Sequence, residues 1–84
     1  MDTQALAAFV EVAESGSFSR AGDSLHLSQP AVSKRIALLE SEFGTQLFFR
    51  TTRKLRPTPE AHRIYQLARE ILSNFDTAGA GAHP

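Results

Sequence analysis

The chain has 84 residues, a formal net charge of zero and no cysteine, and 42% of its residues are hydrophobic. A chain of this length makes one small domain whose core is too small to enclose an enzyme pocket, and without cysteine it has no thiolate chemistry, so we expect no enzyme. No apolar run approaches membrane-spanning length and the first residues lack the pattern of an export signal, so we expect a cytoplasmic protein with no membrane partner.

The first predicted element is a helix over residues 3–14, in which apolar residues recur at the i, i+3, i+4 spacing of one helical face. Thr3 is its expected N-cap and Gly16 is its expected stop. We assign this helix to the hydrophobic core and expect no other role for it.

A second, short helix follows, capped by Ser17 or Ser19 and ending near His26. Gly22 lies inside this helix, where glycine costs about 1 kcal/mol relative to alanine, so its presence indicates that another backbone segment approaches closely. The connection to the next helix is very short. Two helices joined in this way are typical of a helix-turn-helix.

The third predicted helix, residues 28–43, is the element around which the chain is organised. Ser28 is its expected N-cap. The residues Val32, Ile36, Leu39 and Phe43 fall on one apolar stripe. A different face carries short, mildly polar side chains and few carboxylates, which suits the major groove of DNA because the helix can come close and still reach base edges. The alternative is an ordinary amphipathic helix whose second face is only solvated.

Two short apolar segments, residues 47–50 and 55–57, flank a polar and basic tip at residues 51–54 and predict a small hairpin. A hairpin after a helix-turn-helix is a wing, and a basic tip without carboxylates suits a phosphate backbone or a minor groove. A solvated loop is the alternative for the tip. At the strand end, Arg50 is expected to pair with a carboxylate such as Glu40 and not to touch DNA.

The last predicted helix spans residues 59–76, with Thr58 as its N-cap and Pro59 at its first position. Its apolar residues alternate steps of three and four, as in a short coiled coil. We expect this linker helix to pair with a second copy, with packing along its own domain as the alternative. The predicted dimer surface consists of Ala61, Ile64, Tyr65, Ala68, Ile71, Leu72 and Phe75. Residues 77–84 have the composition of a flexible tail.

The basic residues are concentrated in the middle of the chain. Residues 28–69 hold eight of the nine Lys and Arg residues but three of the nine Asp and Glu residues. A local excess of this kind in a neutral chain indicates contact with nucleic acid. None of the three histidines has the spacing of a metal site and no glycine-rich phosphate loop is present, so we expect no metal, no catalytic residue and no cofactor in this chain.

The strings Ser28-Gln-Pro-Ala-Val-Ser33, Leu39-Glu40 and Leu47-Phe48, followed by Arg50, closely resemble the N-terminal domain of LysR-type transcriptional regulators. The resemblance covers nearly the whole chain. It implies a mainly α fold, in which three helices and a two-stranded wing form a winged helix-turn-helix that is followed by a long linker helix. It also implies an effector-binding domain outside this chain, a small coinducer and a tetrameric full-length protein.

The resemblance divides the chain into a DNA-binding domain at residues 1–58, the linker helix and the tail. It implies that the third helix enters the major groove of double-stranded promoter DNA and that the wing reaches the backbone or the minor groove. The residues expected to contact DNA are Ser28, Gln29, Pro30, Ala31, Ser33, Lys34, Arg53 and Lys54. The chain departs from the family at Pro57-Thr-Pro-Glu-Ala61, where Pro57 bears on the angle of the wing.

Two other functions compete with sequence-specific binding. A winged-helix module that binds only proteins is the main alternative, but such a module has no need of a carboxylate-free basic tip. An architectural DNA binder without sequence preference would carry a clear positive net charge, and this chain is neutral. We therefore expect a homodimer that binds specific DNA sequences to regulate transcription.

Overall fold

The computed structural model describes residues 2–50 and 55–81, and for residues 75–81 it describes the backbone alone. This part of the chain forms four helices and one antiparallel hairpin. In chain order the elements are α1 Thr3–Ser15, α2 Phe18–Leu25, α3 Gln29–Phe43, β1 Phe48–Arg50, β2 Leu55–Pro57 and α4 Pro59–Gly81. The predicted fold, a winged helix-turn-helix followed by a long helix, is confirmed.

Helix α1 begins one residue earlier than its sequence suggested. The Asp2 carboxylate accepts a hydrogen bond from the Gln4 amide at 2.9 Å, so Asp2 is the N-cap and Thr3 is the first helical residue. The prediction of a Thr3 cap was wrong because a carboxylate one position earlier was available to fill the same role. The predicted stop is confirmed, since Gly16 adopts a left-handed conformation with φ of 70°.

The turn between α2 and α3 depends on the glycine that the sequence singled out. Ser17 is the N-cap of α2, which decides between the two predicted serines. A Cβ atom on Gly22 would lie 2.6 Å from the Leu27 carbonyl oxygen, and the Leu27 amide donates to the Gly22 carbonyl at 2.8 Å. The predicted close backbone approach is therefore confirmed, and it comes from the segment that leads into α3.

The hydrophobic core lies between α1 and the elements around it. Helix α1 packs against α2, α3 and α4. The stripe predicted on α3 is confirmed at Val32, Ile36 and Leu39, which are fully buried. Its fourth member, Phe43 at the end of the helix, is half-buried against the same core. Phe9 from α1 and Phe48 from β1 are also buried, with ring centroids 5.6 Å apart. The wing is thereby joined to the same core that holds α3.

The hairpin pairs Phe48 with Pro57 and Arg50 with Leu55. Its first strand begins at Phe48, one residue later than predicted. The predicted tip, which includes Arg53 and Lys54, lies outside the described residues.

Helix α4 begins at a buried threonine and extends farther than predicted. The Thr58 hydroxyl accepts from the Ala61 amide at 3.2 Å, which confirms the predicted cap. The helix continues past residue 76 to Gly81, so the predicted boundary between helix and flexible tail was placed too early. Glycine costs a helix only about 1 kcal/mol relative to alanine, so Gly79 and Gly81 do not by themselves end the helix. Among the described residues, no helix is both long and apolar enough to cross a membrane.

Candidate nucleic-acid interface

The N-terminal turns of α3 present an exposed face that its own core positions. The Ser28 hydroxyl accepts a hydrogen bond from the Ala31 amide at 3.2 Å and so fixes where the helix begins. Gln29 and Pro30 are exposed on the first turn, and Ser33 is half-buried one turn later. Because the buried stripe of α3 fixes the rotation of the helix, this face can point only outward.

The first backbone amides of α3 limit what this helix end can offer to a phosphate. Pro30 has no N–H group, and the Ala31 amide is already occupied by the Ser28 hydroxyl. Among these three leading positions of the helix, the Gln29 amide alone remains to donate to an anion. Side chains therefore have to supply most of the contacts at this helix end.

Two adjacent basic residues on α3 have different environments. Arg35 is half-buried, and its Nη1 atom donates to Gln4 Oε1 at 2.8 Å, which joins α3 to α1. Lys34 is exposed and forms no hydrogen bond or ion pair with any other described residue. The ammonium group of Lys34 is therefore available to an external anion, whereas the Arg35 guanidinium already has a partner within the chain.

The base of the wing is fastened to the C-terminal half of α3. Glu40 Oε1 accepts from Arg50 Nη2 at 3.0 Å, and Glu40 Oε2 accepts from the Leu47 amide at 2.8 Å. The Arg50 guanidinium also lies 5.9 Å from the centre of the Phe18 ring, within cation–π range. The prediction that Arg50 pairs with Glu40 is confirmed, and this pairing sets where the wing begins relative to α3.

Of the residues predicted to contact DNA, the structure places six at the start of α3. Gln29, Pro30 and Lys34 are exposed there. Arg53 and Lys54 belong to the tip that lies outside the described residues. The DNA contacts of all eight residues stay predictions. The six at the start of α3 lie together at one end of one helix, as residues that contact one DNA groove must.

The predicted dimer surface on α4 does not form a single outward stripe. Ala61 is 1% exposed and Ala68 is fully buried, and both pack into the core of the single chain. This corrects the prediction that these two alanines line a dimer surface. Their small side chains allow α4 to lie close to α1, so the alternative of packing along the domain holds for both of them.

The remaining predicted positions on α4 lie at the edge of this packing. Ile64, Tyr65, Ile71 and Leu72 are half-buried against the core, and the Phe75 side chain lies outside the described part of the chain.

Sequence reasoning missed Leu67, a large apolar residue that is 47% exposed. Leu67 follows Ile64 by three residues and precedes Ile71 by four, which is the same spacing signal that identified the other positions. The apolar residues that remain accessible on α4 are therefore centred on Leu67, to one side of the predicted seam.

A second feature that sequence reasoning missed connects α1 with α4. The Tyr65 hydroxyl donates to Glu14 Oε2 at 2.6 Å, and Arg69 Nη1 donates to the same oxygen at 3.2 Å. The hydrogen bond to Glu14 raises the pKa of Tyr65, with a further rise from desolvation. No sequence signal predicts this network, because Glu14 lies far from its two partners along the chain.

No group of three or more His, Asp or Glu side chains in the described ranges is arranged to hold a metal ion. Arg35, Arg50 and Arg69 each form a bond to another element, whereas Lys34 is left available to an external anion. The arrangement on α3 and at the base of the wing is suited to binding an extended anionic surface.

Comparison with known sequences points to one family. A sequence model of the bacterial regulatory helix-turn-helix proteins of the lysR family matches residues 3–62. The chain is 52% identical over 73 residues to an HTH-type transcriptional regulator of the ibpB–leuC intergenic region of Azotobacter vinelandii, covering 87% of this chain and 51% of that protein. It is 45% identical over 76 residues to the regulator BenM of Acinetobacter baylyi, covering 90% of this chain and 25% of BenM. The chain thus spans about half the length of the first relative and about a quarter of the second.

Comparison with solved structures gives the same family. The crystal structure of the BenM DBD in complex with benA site 1 DNA superposes with a TM-score of 0.91 at 41% identity, covering 98% of this chain and 92% of that one. The CbnR DBD–DNA complex superposes with a TM-score of 0.91 at 32% identity, covering 98% of this chain and 94% of that one.

Proposed function

The chain belongs to the lysR family of bacterial regulatory helix-turn-helix proteins, and from this premise we propose that it regulates transcription by binding specific sequences of double-stranded promoter DNA as a homodimer. The relatives named above are transcriptional regulators, and two similar structures are complexes with DNA. Helix α3 enters the major groove with its N-terminal turns. The wing lies on the adjacent backbone or minor groove.

The observation that carries the proposal is the separation of the two faces of α3. Val32 and Ile36 are fully buried, and the exposed side carries Gln29, Pro30 and Lys34. An α-helix fits the major groove of B-DNA, where an amide side chain can read a base edge and an ammonium group can hold a phosphate. We propose that Gln29 supplies base contact and that Lys34 supplies backbone contact.

The wing supports this orientation through its fixed base. The Arg50–Glu40 pair holds β1 against the C-terminal half of α3, so the strand that precedes the basic tip has a defined position on the helix proposed to bind DNA. We propose that Arg53 and Lys54 contact the phosphate backbone or the minor groove, where arginine is favoured.

Helix α4 supplies the contact between two copies. Leu67 is exposed between the half-buried Ile64 and Ile71, and this spacing suits pairing with a second α4. A two-fold dimer reads a two-fold symmetric site whose half-sites lie about one helical turn, or a multiple of it, apart. We propose that the chain itself needs no cofactor. The tetramer and the coinducer response of a full-length regulator are part of the same proposal.

Selection of bound duplexes from a random pool, at near-physiological salt, tests the proposed function. The expected result is an enriched motif with two-fold symmetry. The Gln29→Ala variant should then enrich a motif with relaxed preference at one position in each half-site, because a base contact is lost. Binding without any enriched motif would contradict sequence-specific recognition, and the absence of binding would favour the protein-interaction module.

A further inference from the structure

The network around Glu14 ties α4 to the body of the domain at one oxygen atom. Glu14 Oε2 accepts from both the Tyr65 hydroxyl and Arg69 Nη1, which lie one turn apart on α4. The Glu14 and Arg69 side chains are 44% and 60% exposed, and ion pairs of this exposure contribute little to folding stability. What the network does provide is a fixed position for the second and third turns of α4.

The start of α4 is fixed independently at Thr58. This residue is 3% exposed, its amide donates to the Leu47 carbonyl at 3.0 Å and its hydroxyl donates to the Gln46 carbonyl at 2.8 Å. Tyr65 lies about 10 Å farther along the helix axis, given a rise of 1.5 Å per residue. Two points held this far apart define the direction of a helix, and the Glu14 bonds restrict its angle further than the packing of Ala61 and Ala68 alone.

Glu14 lies on α1, and α1 is joined to both elements that are proposed to contact DNA, namely α3 and the wing. The Tyr65 ring packs edge-on against Phe9, with centroids 6.5 Å apart, and Phe9 in turn packs against Phe48 at the base of the wing. The Arg35–Gln4 bond joins α3 to the same helix α1. A change in the angle between α4 and α1 therefore moves α3 and the wing together relative to α4.

The size of such a movement is large on the scale of DNA. The structure measures 48 × 25 × 18 Å. A rotation of about 10° displaces a point about 20 Å away by about 3.5 Å, which matches the rise of about 3.4 Å between successive base pairs. In the proposed dimer the two copies meet at α4. A displacement of this size in each copy therefore changes the distance between the two α3 helices by more than one base pair.

From these observations we infer that Glu14, by holding Tyr65 and Arg69, sets the half-site spacing that the dimer accepts. The inference rests on the proposed function and deepens it. Glu14 acts here as a positioning residue that touches no DNA. Ala61 and Ala68 keep α4 docked in the core, so loss of the Glu14 bonds loosens the angle of the helix without detaching it.

A panel of duplexes tests this inference. Each duplex carries two copies of the selected half-site, with the spacer changed by one base pair at a time, and one further duplex carries a single half-site. Dissociation constants are measured for the unmodified chain and for the Glu14→Gln, Tyr65→Phe and Arg69→Gln variants. The quantity compared is the ratio of affinities for the best spacer and for a spacer two base pairs longer.

Matched controls distinguish the loss of the Glu14 bonds from the loss of a charge and from a loss of folding stability. Glu11→Gln removes the same charge from α1 one turn earlier, and Gln66→Ala changes an exposed residue on a different side of α4. Neither Glu11 nor Gln66 forms a hydrogen bond or ion pair with another described residue. Tyr65→Phe keeps the ring packed on Phe9 and removes only the hydroxyl. The single half-site duplex reports whether each variant still reads DNA normally.

The expected result is a clear spacing optimum for the unmodified chain. The affinity ratio should fall by about threefold or more in the three network variants, with single half-site affinity and both control variants unchanged, because only the geometry of the dimer is relaxed. An unchanged ratio in the network variants, an equal fall in the controls or a flat profile for the unmodified chain would each overturn the inference. If the unmodified chain binds no duplex at all, the proposed function itself fails, which is a different result.

Discussion

Helices α3 and α4 carry similar apolar patterns but use them differently. In α3, the stripe of Val32, Ile36 and Leu39 is entirely buried and the opposite side is left open. In α4, the predicted seam is divided, because Ala61 and Ala68 are buried within their own domain, whereas its other described members are half-buried. Spacing therefore identifies an apolar stripe but does not determine what covers it. Side-chain size carries that further information.

Small residues mark the side of α4 that approaches its own domain. Ala61 and Ala68 are seven residues apart, so they lie on nearly the same side of the helix two turns apart. Alanine at both places lets α4 lie close to α1, whereas a large residue at either place would hold the helices apart. The larger Ile64 and Ile71 sit at the edge of this contact, where a second copy can still reach them.

The largest effect should come from the buried side of α3. Ile36→Ala removes most of a fully buried side chain, and we expect the free energy of unfolding to fall by about 2–5 kcal/mol. Ala37→Ser changes the exposed neighbour and should leave stability within about 0.5 kcal/mol of the original. Urea denaturation measures both values. Similar losses in the two variants would show that the faces of α3 are not separated as described.

The same comparison on α4 should give a smaller effect. Ala68→Leu forces a larger side chain into the contact between α4 and α1, and we expect a loss of about 1–3 kcal/mol in stability from overpacking. The midpoint of urea denaturation reports this loss. A variant as stable as the original chain would mean that Ala68 has free space beside it and belongs to an outer surface.

Leu67→Ala should leave the fold of one chain intact and weaken dimerisation. Leu67 is already 47% exposed, so its truncation removes little from the core, whereas in a dimer both copies lose apolar contact. We expect the dimer dissociation constant to rise about tenfold, measured by sedimentation equilibrium. Gln66→Ala, on a different exposed side of the same helix, serves as the control. An unchanged dissociation constant would place the dimer contact elsewhere.

The smallest effect concerns the Tyr65 hydroxyl. Tyr65→Phe should cost less than about 1 kcal/mol, because the bond to Glu14 is largely solvated. The pKa of Tyr65 is raised above its ordinary value of 10.0, so this contribution is fully present below pH 10 and is lost as the pH rises through the folded-state value. The stability difference between the two chains should therefore be constant from about pH 7 to pH 9 and shrink above pH 10. A difference that grows in alkali would contradict this sign.

Sequence patterns predicted the elements of this fold because each has a local signal. Caps, glycine stops and apolar spacing gave the four helices and the hairpin, and Gly22 gave the tight turn. The reading face could also be predicted, since the buried side of α3 determines the exposed side.

Contacts between elements that are distant in sequence could not be predicted. The Glu14–Tyr65 bond joins residues 14 and 65, and the inward direction of Ala61 depends on how α4 meets α1. The Arg50–Glu40 pair is the exception. Both residues lie near one another along the chain, and Arg50 ends a strand beside the helix that carries Glu40.

The assignment of the exposed face of α3 to DNA is tested most directly by comparing Lys34→Ala with Arg35→Ala on the selected duplex. Both remove one positive charge from α3, but Lys34 is free among the described residues and Arg35 is bonded to Gln4. For Lys34→Ala we predict about tenfold weaker binding, a salt slope lower by about one unit per chain and an unchanged melting temperature. For Arg35→Ala we predict a lower melting temperature and a smaller change in the salt slope. Equal salt slopes in the two variants, or normal DNA binding by Lys34→Ala, would contradict the assignment of this face of α3 to DNA.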